Sequence, residues 1–341
     1  MPETVTLSAN DPGAVAHATS LLLAGEVVAL PTETVYGLAG NALNPEAVAR
    51  IFAAKRRPFF DPLIVHVDGA ASLDRLVRLS FAEGRRVRQL TERFWPGPLT
   101  LVLPRTAIVP DLVTNGSACV AVRAPDHPVF QAVLRAAGCP LAAPSANRFG
   151  RISPTTADHV REELDGEIPL IIDGGLTRVG LESTIVRSHG AGWEILRPGP
   201  VSAEDLAPYG PVQFSDRVVQ AEVPGQLPSH YAPRAQVVLI DGAAEVPGGP
   251  GTALLAWGPV RDGHRFALSA SLSETRSLTQ AAARLFRCLR EVDVAEVQTI
   301  YAERVPAHGL GVAIMDRLTR AAARRGGVEP APAHGAGEHS R

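Results

Sequence analysis

Apolar positions in this chain recur in two rhythms. Short apolar runs at residues 27–30, 63–67 (LIVHV), 99–103 and 119–123 read as buried strands. The segments between them carry helix punctuation. Asp11-Pro12 opens a helix that Gly25 ends, and Asn44-Pro45 opens a second that runs to about Lys55, where Pro58 blocks continuation. Asp126 is the predicted cap of a helix ending near Gly138, and Ser153-Pro154 of another. Ser202 with Asp205 makes a capping-box-like start to a last short helix. Further strands are expected at 141–143, 170–173, 183–187 and 193–197. This alternation predicts an α/β fold with a mixed sheet.

Periodicity weakens between about residues 209 and 234, where Pro and Gly recur (GPVQF, then VPGQLPSHYAPR), as in a linker. A second, smaller α/β unit follows. Strands are expected at 236–241, 252–257 and 299–302, and helices at 278–292 and 313–325. The first of these helices places Ala282, Leu285, Phe286 and Leu289 on one face. The predicted organisation is a catalytic domain over 1–207, a linker over 208–235, a C-terminal α/β domain over 236–326 and a disordered tail over 327–341.

Composition narrows the function classes. The 341 residues are 45% hydrophobic and 20% charged, as in globular proteins. The net charge of −2 gives no global field for nucleic acid or an anionic membrane, so anion binding must be local and no stable nucleic-acid binding is expected. Cys119, Cys139 and Cys288 form neither a CxxC pair nor a zinc-spaced cluster, which suits reduced thiols in the cytoplasm. No signal peptide or membrane-spanning run is expected. Of 33 basic residues, only Lys55 is lysine. A lone compact ammonium among guanidinium groups is a candidate for chemistry that arginine cannot supply.

The chain lacks a P-loop, a GxGxxG turn and a GxSxG elbow. Four segments remain. PTETVYGL (31–38) follows a strand, where α/β proteins bind ligands, although Thr34 could equally bond its own turn. KRRPFFDPLIVHV (55–67) crowds cations at a helix C-terminus. They could serve the helix dipole or act as a phosphate clamp through Lys55 and Arg57. His66 is either a core histidine or a neutral donor to a carboxylate. APSANRFGRISPTTADHV (143–160) offers small residues for close backbone approach, with Ser153 capping an anion-binding helix start. GLESTIV (180–186) and ILRPGP (195–200) bring Ser183 and Arg197, and VAVR adds Arg123. No nucleophile with an attendant base is visible, so direct transfer is expected.

Taken together, PTETVYGL, KRRPFFDPLIVHV, FWPGPLTLVL, VAVRAPDHP, AAPSAN, SPTTADHV, IIDGG, GLESTIV, ILRPGP and PGQLPSHYAP resemble the YrdC-like L-threonylcarbamoyladenylate synthases, in the long form with an appended C-terminal domain. The resemblance implies a twisted mixed sheet with helices around a positive groove. It also implies a nucleotidyltransferase that makes L-threonylcarbamoyl-AMP and pyrophosphate from L-threonine, bicarbonate and ATP with Mg2+. The product would pass to a tRNA-modifying threonylcarbamoyl transferase complex. Carried over by position, Lys55 and Arg57 are catalytic, and Thr34, His66, Arg123, Ala143 and Ser183 bind threonine. Arg57, Asp61, Cys119, Ser145, Asn147, Ser153 and Arg197 bind ATP, and His230 and Tyr231 belong to a lid. Metal ligands are not assigned.

Three departures matter. Asp61 stands where the family often has Asn, Cys119 where it often has Thr, and Pro228 where an aromatic ring is common. Other readings are an RNA-binding module, or carbamoyl transfer as in hydrogenase-maturation proteins, whose acylphosphatase and zinc-finger segments are absent here. For the C-terminal domain, no catalytic constellation is visible, and a structural or docking role is expected.

Overall fold

The computed structural model describes residues 3–215, 224, 231–261 and 263–323. The first part runs β1 (Val5–Ser8), α1 (Ala14–Leu23), β2 (Val28–Leu30), β3 (Gly37–Asn41), α2 (Pro45–Lys55) and β4 (Ile64–His66). It continues through α3 (Leu73–Leu76), α4 (Phe81–Phe94), β5 (Leu99–Pro104), α5 (Asp111–Thr114), β6 (Cys119–Arg123), α6 (Pro128–Ala137) and β7 (Leu141–Ala142). It closes with α7 (Ala157–Leu164), β8 (Leu170–Asp173), β9 (Thr184–His189), β10 (Gly192–Arg197), α8 (Ala203–Leu206) and β11 (Val212–Phe214).

These strands form one 11-stranded mixed sheet, ordered β1-β8-β2-β3-β7-β4-β6-β5-β9-β10-β11. Its centre is where functional strands meet. In parallel register His66 of β4 lies opposite Arg123 of β6, and β7 runs antiparallel on the other side of β4.

The second part holds β12 (Gln236–Ile240), β13 (Gly249–Ala256), β14 (Phe266–Ser271), α9 (Leu278–Val292), β15 (Thr299–Glu303) and α10 (Leu310–Ala322). Its four strands are all parallel, in the order β12-β15-β13-β14. The apolar face expected on α9 is buried, including Ala282, Leu285, Phe286 and Leu289. Among the described residues, no helix is long and apolar enough to cross a membrane.

Asn44 caps α2 by accepting from the Glu46 and Ala47 N–H groups, and Arg56 ends the helix in a left-handed conformation. Three predicted caps are corrected. Asp11 accepts from Gly13 N–H, one turn early, and α1 begins at Ala14 without a side-chain cap. His127, not Asp126, precedes α6, and the Asp126 carboxylate instead meets Arg178. Thr156, not Ser153, caps α7, which starts at Ala157. The anion-binding helix start expected at Ser153 is therefore not there. Helix α4 and strands β1, β3 and β14 were not foreseen. On α4, just Val87, Leu90 and Thr91 are buried, which leaves a weak apolar stripe.

The two parts share a core. Val35, Ile152 and Leu181, each on a connecting loop of the first, belong to the cluster built by Leu285, Phe286, Ile314 and Leu318 of the second. Contact at Gly180 is close: with φ +74°, a Cβ there would stand 2.6 Å from the Ala283 backbone. Arg290 of α9 reaches across to the Ile152 carbonyl and to Glu162 and Glu163.

Candidate active site

The loop after β2 sorts its two threonines. Thr32 Oγ1 makes the turn, accepting from the Thr34 and Val35 N–H groups and donating to Val35 O at 2.7 Å. That leaves Thr34 Oγ1 to accept from Arg123 Nη1 at 2.9 Å. Arg123 Nη2 donates to Glu33 Oε2 at 2.7 Å, and both side chains are buried. Arg123 Nε and Glu33 Oε1 are buried without a hydrogen-bond partner among the described residues. One unmet donor thus belongs to the same ion pair as one unmet acceptor.

His66, across from Arg123, is buried with Nδ1 3.2 Å from the Ile64 carbonyl and its ring 5.2 Å from that of Phe130. Burial, and then the Arg123 charge, push its pKa down to about 3, so the imidazole is neutral at physiological pH. Ala143 donates its N–H to Ile64 O at 3.0 Å. Ser183 Oγ lies 2.7 Å from Thr100 Oγ1 and accepts from Arg197 Nη2 at 3.2 Å.

The cations of KRRP separate. Arg56 stays at the surface, 3.7 Å from Glu167. Lys55 and Arg57 turn inward and are buried. Lys55 Nζ donates to the carbonyls of Ser145 and Asn147, each at 2.5 Å, and so ties the end of α2 to the PSAN loop. Burial, with Arg57 nearby, holds its ammonium well below the usual lysine range. Arg57 lies 2.8 Å from Asp61 Oδ2 and donates to the Asp61 and Pro62 carbonyls. Neither Asp61 carboxylate oxygen has an aligned hydrogen bond, so the pair is a charge contact. Burial raises the Asp61 pKa, against the opposing pull of Arg57, Lys55 and Arg197 in that order. Three buried cations therefore act on the Asp61 carboxylate, with Arg57 in direct contact.

Arg197 donates to the Ser183 carbonyl at 2.9 Å and to the Pro224 carbonyl at 3.1 Å. Asn147 Nδ2 holds the Arg148 and Arg151 carbonyls, while its Oδ1 is buried and unpaired. Ser145 bridges to Gly37 and is half-buried. Ser153 is fully buried, with Oγ donating to Glu182 Oε1 at 2.5 Å. Cys119 stands apart from this cluster. Four residues before Arg123, it is about 13 Å along the strand. It lines an open cleft of about 520 Å³ with Pro62, Ala121, Arg187 and Trp193.

Of the expected lid, Tyr231 is described, whereas His230 and Pro228 lie outside the described residues. Tyr231 is buried, stacked 5.5 Å from Phe286 of α9, with the Arg317 guanidinium 5.0 Å from its ring centre. The Pro224 carbonyl accepts from Arg197, and the Ala232 N–H donates to the Gly150 carbonyl.

Sequence reasoning missed Glu33, Glu182 and Arg317. The first two stand inside motifs already singled out. The pairing of Arg317 could not be read locally, because its partner Glu182 is 135 residues away.

A family profile described as "Telomere recombination" (Sua5_yciO_yrdC) matches residues 20–199. A second, described as "Threonylcarbamoyl-AMP synthase, C-terminal domain", matches 201–323. A Bacillus subtilis protein named threonylcarbamoyl-AMP synthase is 40% identical over 334 residues, 94% of this chain and 95% of that one. A Schizosaccharomyces pombe protein of the same name is 36% identical over 347 residues, 86% of this chain and 84% of that one. The crystal structure of Pyrococcus abyssi Sua5 complexed with L-threonine matches with a TM-score of 0.85 at 36% identity, covering 94% of this chain and 97% of that one.

Proposed function

This chain belongs to the Sua5/YciO/YrdC family, in the two-domain form of the threonylcarbamoyl-AMP synthases, and we propose that it joins L-threonine, bicarbonate and ATP into threonylcarbamoyl-AMP, releasing pyrophosphate. The observation that carries the nucleotide half of this reading is the charge imbalance around Asp61. Lys55, Arg57 and Arg197 are buried near Asp61, and Arg57 pairs with it directly. Buried charge without a counter-charge is costly, and a triphosphate supplies what is missing.

The threonine half rests on the unpaired atoms of the Arg123–Glu33 pair. Arg123 Nε is a donor for the amino-acid carboxylate, and Glu33 Oε1 is an acceptor for its nitrogen. Thr34 and neutral His66 flank the same guanidinium. The threonine amine takes up the carboxyl carbon of bicarbonate, with loss of water, to give a carbamate. A carbamate oxygen then attacks the α-phosphorus in line, and the bond to the β-phosphate oxygen breaks. The cations offset the repulsion between anionic attacker and phosphate and hold both in line. Cys119 suits the adenosine end of a nucleotide lying out from Arg57 along Pro62 towards the open cleft.

Magnesium binds through substrate phosphates, water and one or two carboxylates. No cluster of three or more His, Cys, Asp or Glu capable of holding a metal exists among the described residues. Asp61 and Asn147 Oδ1, buried oxygens without a hydrogen bond among the described residues, are the donors that would hold the ion beside the phosphates. When bound, it neutralises charge on the departing pyrophosphate. The product would serve tRNA modification in the cytoplasm.

The test is pyrophosphate release with threonine, serine or no amino acid, each with and without bicarbonate. A strict requirement for both threonine and bicarbonate is expected. Release that is independent of either one overturns the reading.

A further inference from the structure

Arg317 belongs to the second domain but spends most of its guanidinium on the first. It is fully buried on α10. Its Nε donates to Glu182 Oε2 at 2.8 Å, its Nη2 to the Pro198 carbonyl at 3.1 Å and its Nη1 to its neighbour Asp316 at 2.6 Å. Glu182 uses its other oxygen to accept from Ser153 Oγ at 2.5 Å. Pro198 directly follows Arg197, whose own guanidinium grips the Ser183 carbonyl at 2.9 Å. One side chain therefore fixes the backbone beside Arg197 and, through Glu182, the hydroxyl of Ser153.

We propose that Arg317 is a positioning residue for the nucleotide: the second domain sets the conformation of Ser153 and Arg197 through the Arg317–Glu182 pair. This rests on the reading that those two residues meet ATP. The chemistry is specific to arginine. A planar fork can serve a carboxylate, a carbonyl and a second carboxylate in one plane, and a lysine ammonium cannot span them. Without Arg317, Glu182 is a buried carboxylate whose one remaining hydrogen bond among the described residues is from the Ser153 hydroxyl. It must then protonate or draw its loop towards water, and either change releases Ser153. Of the threonine-facing groups, Thr34, Arg123 and His66 lie on other elements and have no bond to this relay among those given above, whereas Ser183 touches it by accepting from Arg197.

The full-length chain with Arg317→Met, Arg317→Lys and the double change Glu182→Gln, Arg317→Met tests this. Two readouts are needed: calorimetric binding of a non-hydrolysable ATP analogue, and KM for ATP and for threonine in pyrophosphate release. Arg317→Met should weaken analogue binding and raise the ATP KM by about ten- to a hundredfold, while the threonine KM, reached only through Ser183, moves by a clearly smaller factor. Arg317→Lys should fall between the two. If Arg317→Met fails to fold, the charge-balanced double variant is read for the same split. Equal shifts in both KM values, or a lowered melting temperature with unchanged analogue affinity, make Arg317 simple interdomain glue and overturn the proposal. Wild-type chain that binds the analogue but releases no threonine-dependent pyrophosphate would overturn the functional reading. The analogue titrations would still decide the role of Arg317.

Discussion

Arg123 and Thr34, 89 residues apart, are joined by a 2.9 Å hydrogen bond, and the carboxylate of Glu33, next to Thr34 in sequence, neutralises the same guanidinium. The pocket wall is thus prearranged before any amino acid enters. Arg123→Ala should raise the threonine KM by about a hundredfold while ATP-analogue affinity changes little. It should also cost about 3–5 kcal/mol of stability, because the buried Glu33 loses its counter-charge and keeps, among the described residues, only the Asp126 N–H. Steady-state kinetics and urea unfolding measure the two effects. A threonine KM within threefold of wild type would remove Arg123 from the pocket.

Asp61 neutralises part of the positive charge that nucleotide phosphates would meet. Arg57 keeps its bonds to the Asp61 and Pro62 backbone when the side chain changes, so Asp61→Asn removes charge without removing the scaffold. In magnesium-free buffer, Asp61→Asn should bind an ATP analogue about three- to tenfold more tightly, which corresponds to roughly 1 kcal/mol. Isothermal titration reads this directly. Weaker binding there would mean that the carboxylate holds Arg57 in its working orientation.

Lys55 acts as a strut between α2 and the PSAN loop. Lys55→Ala leaves two buried carbonyls without donors, at about 1–3 kcal/mol each, and lets Ser145 and Asn147 drift. The expected outcome is a fall in kcat of about a hundredfold or more, with threonine binding nearly unchanged. A kcat within a few-fold of wild type would sink the role given to the lone lysine.

His66 sets an acid limit. Its pKa is about 3 in the folded chain and 6.5 when unperturbed. Below pH 6.5 the unfolded chain takes up a proton that the folded chain refuses, so stability falls as pH drops through this window. The slope is up to about 1.4 kcal/mol per pH unit. Above 6.5 the ring is neutral in both states and contributes no slope. His66→Gln should flatten that acid limb in urea midpoints taken between about pH 7 and pH 4.5. Parallel profiles for the two proteins would show that the ring is protonated in the fold.

What could be read in the sequence followed from where the physics is local. The end of α2 was legible because Asn44, Pro45 and Pro58 act within a turn of themselves. Lys55 stood out because arginine had replaced every other lysine. Ser153 was misread because Ser-Pro looks like a cap, while Thr156, three residues on, accepts the His159 N–H at 3.2 Å. Helix α4 escaped because its outward face is charged and its buried stripe is narrow. Glu33 and Glu182 were passed over because a site built for anions gives no obvious use for carboxylates. Their work is to orient arginines, and that shows once partners distant in sequence are brought together.

Val35, Ile152 and Leu181 lie in the loops of the first domain but pack in the core of the second. During translation, the large sheet can finish folding while these side chains still face water. Whatever order these loops need for catalysis would then arrive late, once α9 and α10 have left the ribosome and covered them.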